Sequence, residues 1–273
     1  MVRLKTKVHK DYVTIFSKKF FETVPNVFYF ENFSTLRYRH EWTIRDTTFL
    51  FDDKRMWEYS YYLGYRFGAE KPSDFYTMVL EYNPNKCLIE GLLLQIIKTF
   101  FNSDDVVVQS LDFAIDFNID ILNIVVDKWR KREYKYFKYS KADNDITHYI
   151  GKGDNRVKIY NKGLELGVDE TMTRFEVTLC PRCKMFDIRE FKCPALPNIY
   201  VISNSDGFDK SISPIIYALM MGYHFHDLTD YTQRHLRSIL KEFNLQIEFD
   251  YSIINSTIYE YFETFSSLIK NNT

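Results

Sequence analysis

Glycine and proline are scarce, at 9 and 7 in 273 residues. That excludes a collagen-like or Gly/Pro-rich low-complexity chain. Cysteine is scarce too, and four in a chain this long do not form a disulfide framework, so a reducing cytoplasm is the expected address. No stretch reaches the roughly 18 uninterrupted apolar residues of a membrane span. The start, Met1 to Lys7, is basic but lacks a following apolar segment, so a secretory signal is not expected. An excess of charge of one sign is also missing, with 36 Lys+Arg against 37 Asp+Glu. Any nucleic-acid contact must therefore come from local basic patches rather than from net charge.

Aromatic residues are abundant. Twenty-four Phe, 21 Tyr and 3 Trp make up 18% of the chain. Rings of this size fill a core and, where exposed, stack on bases. The length suits one large domain or a domain with a smaller appendage.

Runs bounded by turn residues predict strands at Trp57–Phe67, Phe75–Tyr82 and Val106–Phe117, then at Tyr134–Tyr139, His148–Gly151, Arg156–Asn161 and Thr173–Cys180. Residues 1–50 can be placed only loosely. Leu88–Phe101 has the length and apolar density of a helix, and Ser211–Tyr223, Thr229–Asn244 and Ser252–Lys270 read as three more. The expectation is an α+β fold with an antiparallel sheet, a catalytic region over 1–195 and a helical region over 196–273.

Asp112 and Asp116 lie four apart on a predicted strand, so both point to one face, with small Ala114 between them. Two carboxylates aimed together suit a hard divalent ion. The plainer alternative is one carboxylate paired with a surface lysine and the other solvated. Glu81 ends a strand before the Asn83-Pro84-Asn85 turn, and Glu176 sits mid-strand. Tyr160 lies in Arg156-Val157-Lys158-Ile159-Tyr160-Asn161-Lys162, where alternation puts the cations and the phenol on one face. Such cations would stabilise a phenolate and hold a phosphate, although a surface tyrosine is the simpler reading.

Four segments in order resemble the plasmid rolling-circle replication initiators, the Rep_trans type, which includes relaxases of conjugative elements. They are Leu80-Glu81-Tyr82-Asn83-Pro84-Asn85-Lys86, Leu111-Asp112-Phe113-Ala114-Ile115-Asp116-Phe117, Ile159-Tyr160-Asn161-Lys162 and Arg174-Phe175-Glu176-Val177-Thr178-Leu179. The resemblance spans about Trp57 to Leu179. It implies origin-specific DNA nicking and strand transfer, with Tyr160 as covalent nucleophile on the 5′ side of the cut. It implies Mg²⁺ or Mn²⁺ held by Asp112 and Glu176, with Asp116 and Glu81 as further ligands, and Lys158 and Lys162 at the phosphate or phenolate. A single-stranded or hairpin DNA origin, a host helicase and a homodimer are the implied partners. The family commonly has Arg before the Leu-Asp pair, where this chain has Ser110, and the stretch from Tyr149 to Tyr160 is shorter than the family's.

The densest basic run is Lys128 to Lys141, with seven Lys/Arg and one acid, Glu133. Lys128, Arg130, Lys131, Arg132, Lys135 and Lys138 alternate with rings there, which suits a backbone-tracking groove or a charged edge strand. Arg234, Arg237 and Lys241 share a helical face, and the resemblance makes that face a candidate for origin recognition. His224-Phe225-His226 has a metal-ligand look, but on a helix residues two apart diverge by about 200°, so it reads as a decoy. Cys180-Pro181-Arg182-Cys183, with Cys193 beyond, has the spacing of half a zinc site and reads as structural thiols. A relaxase with the same chemistry, an inactive DNA-binding regulator and a water-using nuclease remain as alternatives.

Overall fold

A computed structural model of the chain describes residues 2–9, 41–45, 61–67, 75–85, 89–102, 104–127, 129, 133–138, 145–152, 155–202, 208–243 and 245–270. The fold is α+β. The chain divides into two compact units that interleave in sequence: residues 1–111, 180–192 and 253–273 in the first, and 112–179 and 193–252 in the second. This partition does not follow a single cut at residue 195. Two of the C-terminal helices belong to the second unit and most of the third to the first.

In the first unit β1 (Val2–His9), β2 (Glu41–Arg45), β3 (Tyr61–Phe67) and β4 (Phe75–Tyr82) pair antiparallel in the order β2-β3-β4-β1. The first part of β5 (Val107–Phe117) then joins β1 through the pairs Val2↔Leu111 and Lys5↔Val107. Val2, Leu4 and Thr6 are buried while Arg3 and Lys5 are less so, the period of two that a one-sided strand needs. Helix α1 (Gly91–Phe100) buries Leu93, Ile97 and Phe100 at helical spacing. A two-residue strand, Cys183–Lys184, pairs Cys183 with Val108 near the start of β5.

In the second unit the remainder of β5 is followed in the sheet by β10 (Thr173–Leu179), β9 (Arg156–Asn161), β8 (Ile146–Ile150) and β7 (Tyr134–Lys138). Two three-residue strands, β6 (Ile124–Val126) and β12 (Ile199–Val201), form a separate ribbon, and the Cys183–Lys184 strand is β11. Helices α2 (Lys162–Leu166), α3 (Ser213–Met220) and α4 (Asp230–Glu242) also belong here. Val125, Tyr200, Ile212, Ile216, Phe225, Leu236 and Leu240 form one apolar cluster. Thr229 caps α4, accepting from the Thr232 amide at 3.2 Å, worth about 1 kcal/mol. The last helix, α5 (Tyr251–Lys270), buries Ile254, Ile258, Phe262, Phe265 and Ile269 along one stripe. Its Phe265 ring stacks 6.2 Å from Tyr82. No helix among the described residues is long and apolar enough to cross a membrane.

His148 is 1% exposed in β8, and the Tyr134 hydroxyl lies 2.6 Å from its Nδ1. Burial pushes its pKa down from 6.5 to about 4. A lowered folded pKa means that the unfolded chain takes up the proton first as pH falls. The contribution is therefore complete above about pH 6.5 and lost progressively towards pH 4, in total about 3 kcal/mol. Urea unfolding of wild type and His148→Gln should show wild type losing more stability over that window; parallel pH profiles would refute the assignment.

Candidate active site around Tyr160

The second unit's sheet has one apolar and one polar face. Val157, Ile159, Phe175 and Val177 are each at most 1% exposed and line the apolar one. Directly paired residues in an antiparallel ladder share a face. The pairs Arg174↔Tyr160, Glu176↔Lys158 and Thr178↔Arg156 therefore place all six side chains together on the polar face. Thr147↔Tyr160 and Tyr149↔Lys158 extend it to β8, and Lys135↔Tyr149 and Phe137↔Thr147 extend it to β7.

Tyr160 is only 8% exposed. Lys158 Nζ sits 3.9 Å from the centre of its ring, and Lys162 Nζ 6.0 Å, an arrangement favoured by the ring's electron-rich face. The phenol donates to Glu176 Oε2 at 3.4 Å and also hydrogen-bonds Glu165. Burial raises the phenol's pKa first of all. The Glu165 hydrogen bond and the charges of Glu165 and Glu176 raise it further, against a smaller opposing effect of Arg174. This corrects the expectation that neighbouring cations stabilise a phenolate. Lys162 is instead occupied by Glu165 at 3.0 Å, and the phenol stays protonated at neutral pH. For Glu165, burial acts upward, but hydrogen bonds from Lys162 and Tyr160 outweigh it and hold the carboxyl below its ordinary range.

The alternation also fails at Lys162, for a local reason. Asn161 ends β9 and caps α2, accepting from the Leu164 amide at 2.8 Å. That turn brings Glu165 back to Tyr160. Gly163 permits it, because a β-carbon there would lie 2.1 Å from the Glu170 carbonyl oxygen. Neither Glu165 as a neighbour of Tyr160 nor a role for Arg174 is legible in the sequence.

Arg174 donates to both oxygens of Asp116, at 2.7 and 2.6 Å. Its guanidinium holds the Asp116 carboxyl below the usual range. Asp116 is thus an ion-pair partner, as in the plainer sequence reading, but of the strand residue Arg174 rather than of a surface lysine. The same bond puts Asp116 on the polar face, and Asp112, four residues earlier on β5, shares that face. Glu81 belongs to the first unit and lies 3.4 Å from Arg3. Among the described residues none of these four carboxylates belongs to a group of three or more clustered donors. Glu176 and Asp112, on neighbouring strands and one face, do fit Mg²⁺, which commonly takes one or two carboxylates and completes its shell with water and phosphate oxygens.

Further along the polar face a cavity of about 360 Å³ is lined by Glu133, Lys135, Phe137, Tyr149, Lys152 and Arg156. Phe137 is 42% exposed and meets Tyr149 edge-on at 5.6 Å. Lys138 is exposed on β7. Lys128, Arg130, Lys131 and Arg132 lie outside the described residues. On α4, Arg234 and Lys241 are exposed. Arg237 is not available as a DNA contact, because it donates to both oxygens of buried Asp127 at 2.7 and 2.8 Å. Cys193 is buried and its thiol is pushed up to about 11; no cysteine joins a metal-ligand group among the described residues.

No protein-family model matches the chain, and neither does any curated protein. Among solved structures it is similar to a rolling-circle replication initiator protein from Geobacillus stearothermophilus. Identity is 13%, covering 66% of this chain and 72% of that one, with a TM-score of 0.29.

Proposed function

We propose that the chain is a DNA-nicking and strand-transfer enzyme of the rolling-circle initiator kind, with Tyr160 as its nucleophile. The observation that carries this reading is a phenol on a cation-rich sheet face with two carboxylates in reach of its proton. The Tyr160 oxygen attacks the scissile phosphorus while its proton passes to Glu165. The bond from phosphorus to the 3′ oxygen breaks, and that oxygen leaves as a hydroxyl after taking a proton from water or Lys158. The 5′ phosphate remains on Tyr160, so the bond energy is kept and the strand can be rejoined. Lys158 and Arg156 lie on the same face to hold the phosphate oxygens. Bound Mg²⁺ or Mn²⁺ would supply a Lewis acid on a phosphate oxygen, held by Glu176 and Asp112.

The unpaired strand runs from Tyr160 towards the cavity between Phe137 and Lys152, where rings stack bases and cations meet phosphates. Phe137→Ala should weaken single-strand binding by roughly 1–3 kcal/mol, read by fluorescence anisotropy; unchanged affinity would remove this path. Residues 1–195 carry the chemistry in this reading. The region after 195 takes part in origin recognition through Arg234 and Lys241, with a homodimer and a host helicase as partners.

The test incubates the full chain with labelled single-stranded and hairpin oligonucleotides of origin sequence and Mg²⁺ or Mn²⁺, and resolves the products on denaturing gels. A protein–DNA adduct, mapped to the peptide holding residue 160, is expected. Cleavage without adduct would mean a water-using nuclease. Binding without cleavage on a verified origin would mean a regulator.

A further inference from the structure

The segment Gly222–Asp227 follows α3 and is not helical where the sequence suggested a helix end. Helix α3 stops at Met220, His224 is extended with φ −87° and ψ 131°, and only Phe225–Asp227 make a 3₁₀ turn. The 200° divergence expected of a helix therefore does not arise. The His224 and His226 rings lie 4.8 Å apart. His224, His226 and Asp227 each offer one ligand atom, all within 4.8 Å of one another.

Packing holds the turn in this shape. Phe225 is 2% exposed in the apolar cluster and anchors its middle. Gly222 has φ +92° and lies so close to Tyr136 that a β-carbon would meet the ring at 2.4 Å. Tyr134 sets its ring edge-on to His224 at 4.8 Å. The two histidines are thus turned outward together before any ligand arrives.

The donor chemistry is specific. Tetrahedral bonds of 2.0–2.1 Å place neighbouring ligand atoms about 3.4 Å apart. His226 Nε2 and Asp227 Oδ1 are already 3.3 Å apart, and a small rotation brings in the His224 nitrogen. Imidazole donors favour Zn²⁺, Co²⁺, Ni²⁺ or Cu²⁺ over Mg²⁺ and Ca²⁺. His226 and Asp227 have side chains 43% and 61% exposed, so an ion enters directly from solvent.

We propose that His224, His226 and Asp227 bind one divalent transition ion of the Zn²⁺ class, leaving a fourth position for water or an incoming oxyanion. The site is distinct from the carboxylates near Tyr160. His148 and Tyr136 pair with each other on the sheet face opposite Thr147 and Tyr160, and Tyr136 is the ring that meets this turn. The inference therefore does not depend on the nicking reading.

The untagged 273-residue chain, dialysed against chelator, would be titrated with Co²⁺ and followed by its visible ligand-field absorption, then by displacement with Zn²⁺. One equivalent with the intense absorption of tetrahedral Co²⁺ is expected, displaced by Zn²⁺ and not by excess Mg²⁺. His226→Ala and Asp227→Asn change exposed side chains, and circular dichroism would verify that both variants fold. Each should weaken Co²⁺ binding at least tenfold. Absence of binding, or affinity unchanged in both folded variants, would overturn the proposal.

Discussion

Tyr160→Phe should leave no protein–DNA adduct, with strand cleavage falling by at least about 10³-fold. The change removes one oxygen and keeps the ring under Lys158, so the buried position remains filled and binding of the strand should persist. What is lost is the atom that carries the 5′ phosphate in the proposed mechanism. The carboxylates give the experiment a second dimension. Because burial and the two acids raise the phenol's pKa, almost no phenolate exists at neutral pH, and attack requires proton removal in the same step. Glu165→Gln should then slow adduct formation by about 10²–10⁴-fold, whereas Glu176→Gln should also raise the Mg²⁺ or Mn²⁺ concentration that the reaction needs. Rates that tracked phenolate formation up to high pH in both variants would contradict the general-base role. An adduct formed by the Phe variant would end the case for Tyr160.

Arg237→Ala should destabilise the second unit by about 3 kcal/mol, near the lower end of the range for a broken buried ion pair. Asp127 is 3% exposed, and both of its oxygens receive hydrogen bonds from Arg237. Removing the guanidinium leaves a buried carboxylate without its counter-charge, although Asn198 still donates to it at 3.5 Å. Arg237 itself is 34% exposed on its side chain, and water reaching the vacated space moderates the cost. Its stacking at 5.0 Å over Phe225 is lost as well. Urea denaturation followed by circular dichroism measures the effect, and Asp127→Asn combined with Arg237→Gln should recover part of it. A single variant within 0.5 kcal/mol of wild type would show that solvent already screens the pair. If origin binding by the folded variant fell while stability held, Arg237 would return as a DNA contact.

Much of the sheet was legible because alternation is strong wherever one face is buried. The strand Phe75–Tyr82 matches its expected bounds, and so does Arg156–Asn161. β1 was missed although Val2, Leu4 and Thr6 alternate with cations, because a threonine on the core face looks polar in sequence. β6 and β12 lie within buried stretches where alternation is absent, and three residues are too few to declare a period. At the site, Glu176 comes to Tyr160 through strand register, whereas the resemblance implies it only as a metal ligand beside Asp112. Glu165 stayed hidden because the alternation of faces was carried one residue past the strand to Lys162, whereas the Asn161 cap turns the chain there. His224 and His226 were set aside on a helical geometry that ends at Met220. Asp127–Arg237 is a pairing across 110 positions, beyond the reach of any local pattern.

The interleaving of the two units has a consequence for how the chain assembles as it is made. The chain passes from one unit to the other after residues 111, 179, 192 and 252. The second unit has all its residues once position 252 has emerged, whereas the first must wait for Ile254, Phe262 and Phe265. At 5–20 residues per second, its strands stand without that helix for roughly 10–30 s. The unit synthesised first is thus the last to be finished, and Tyr82 spends that interval without the ring that later stacks on it.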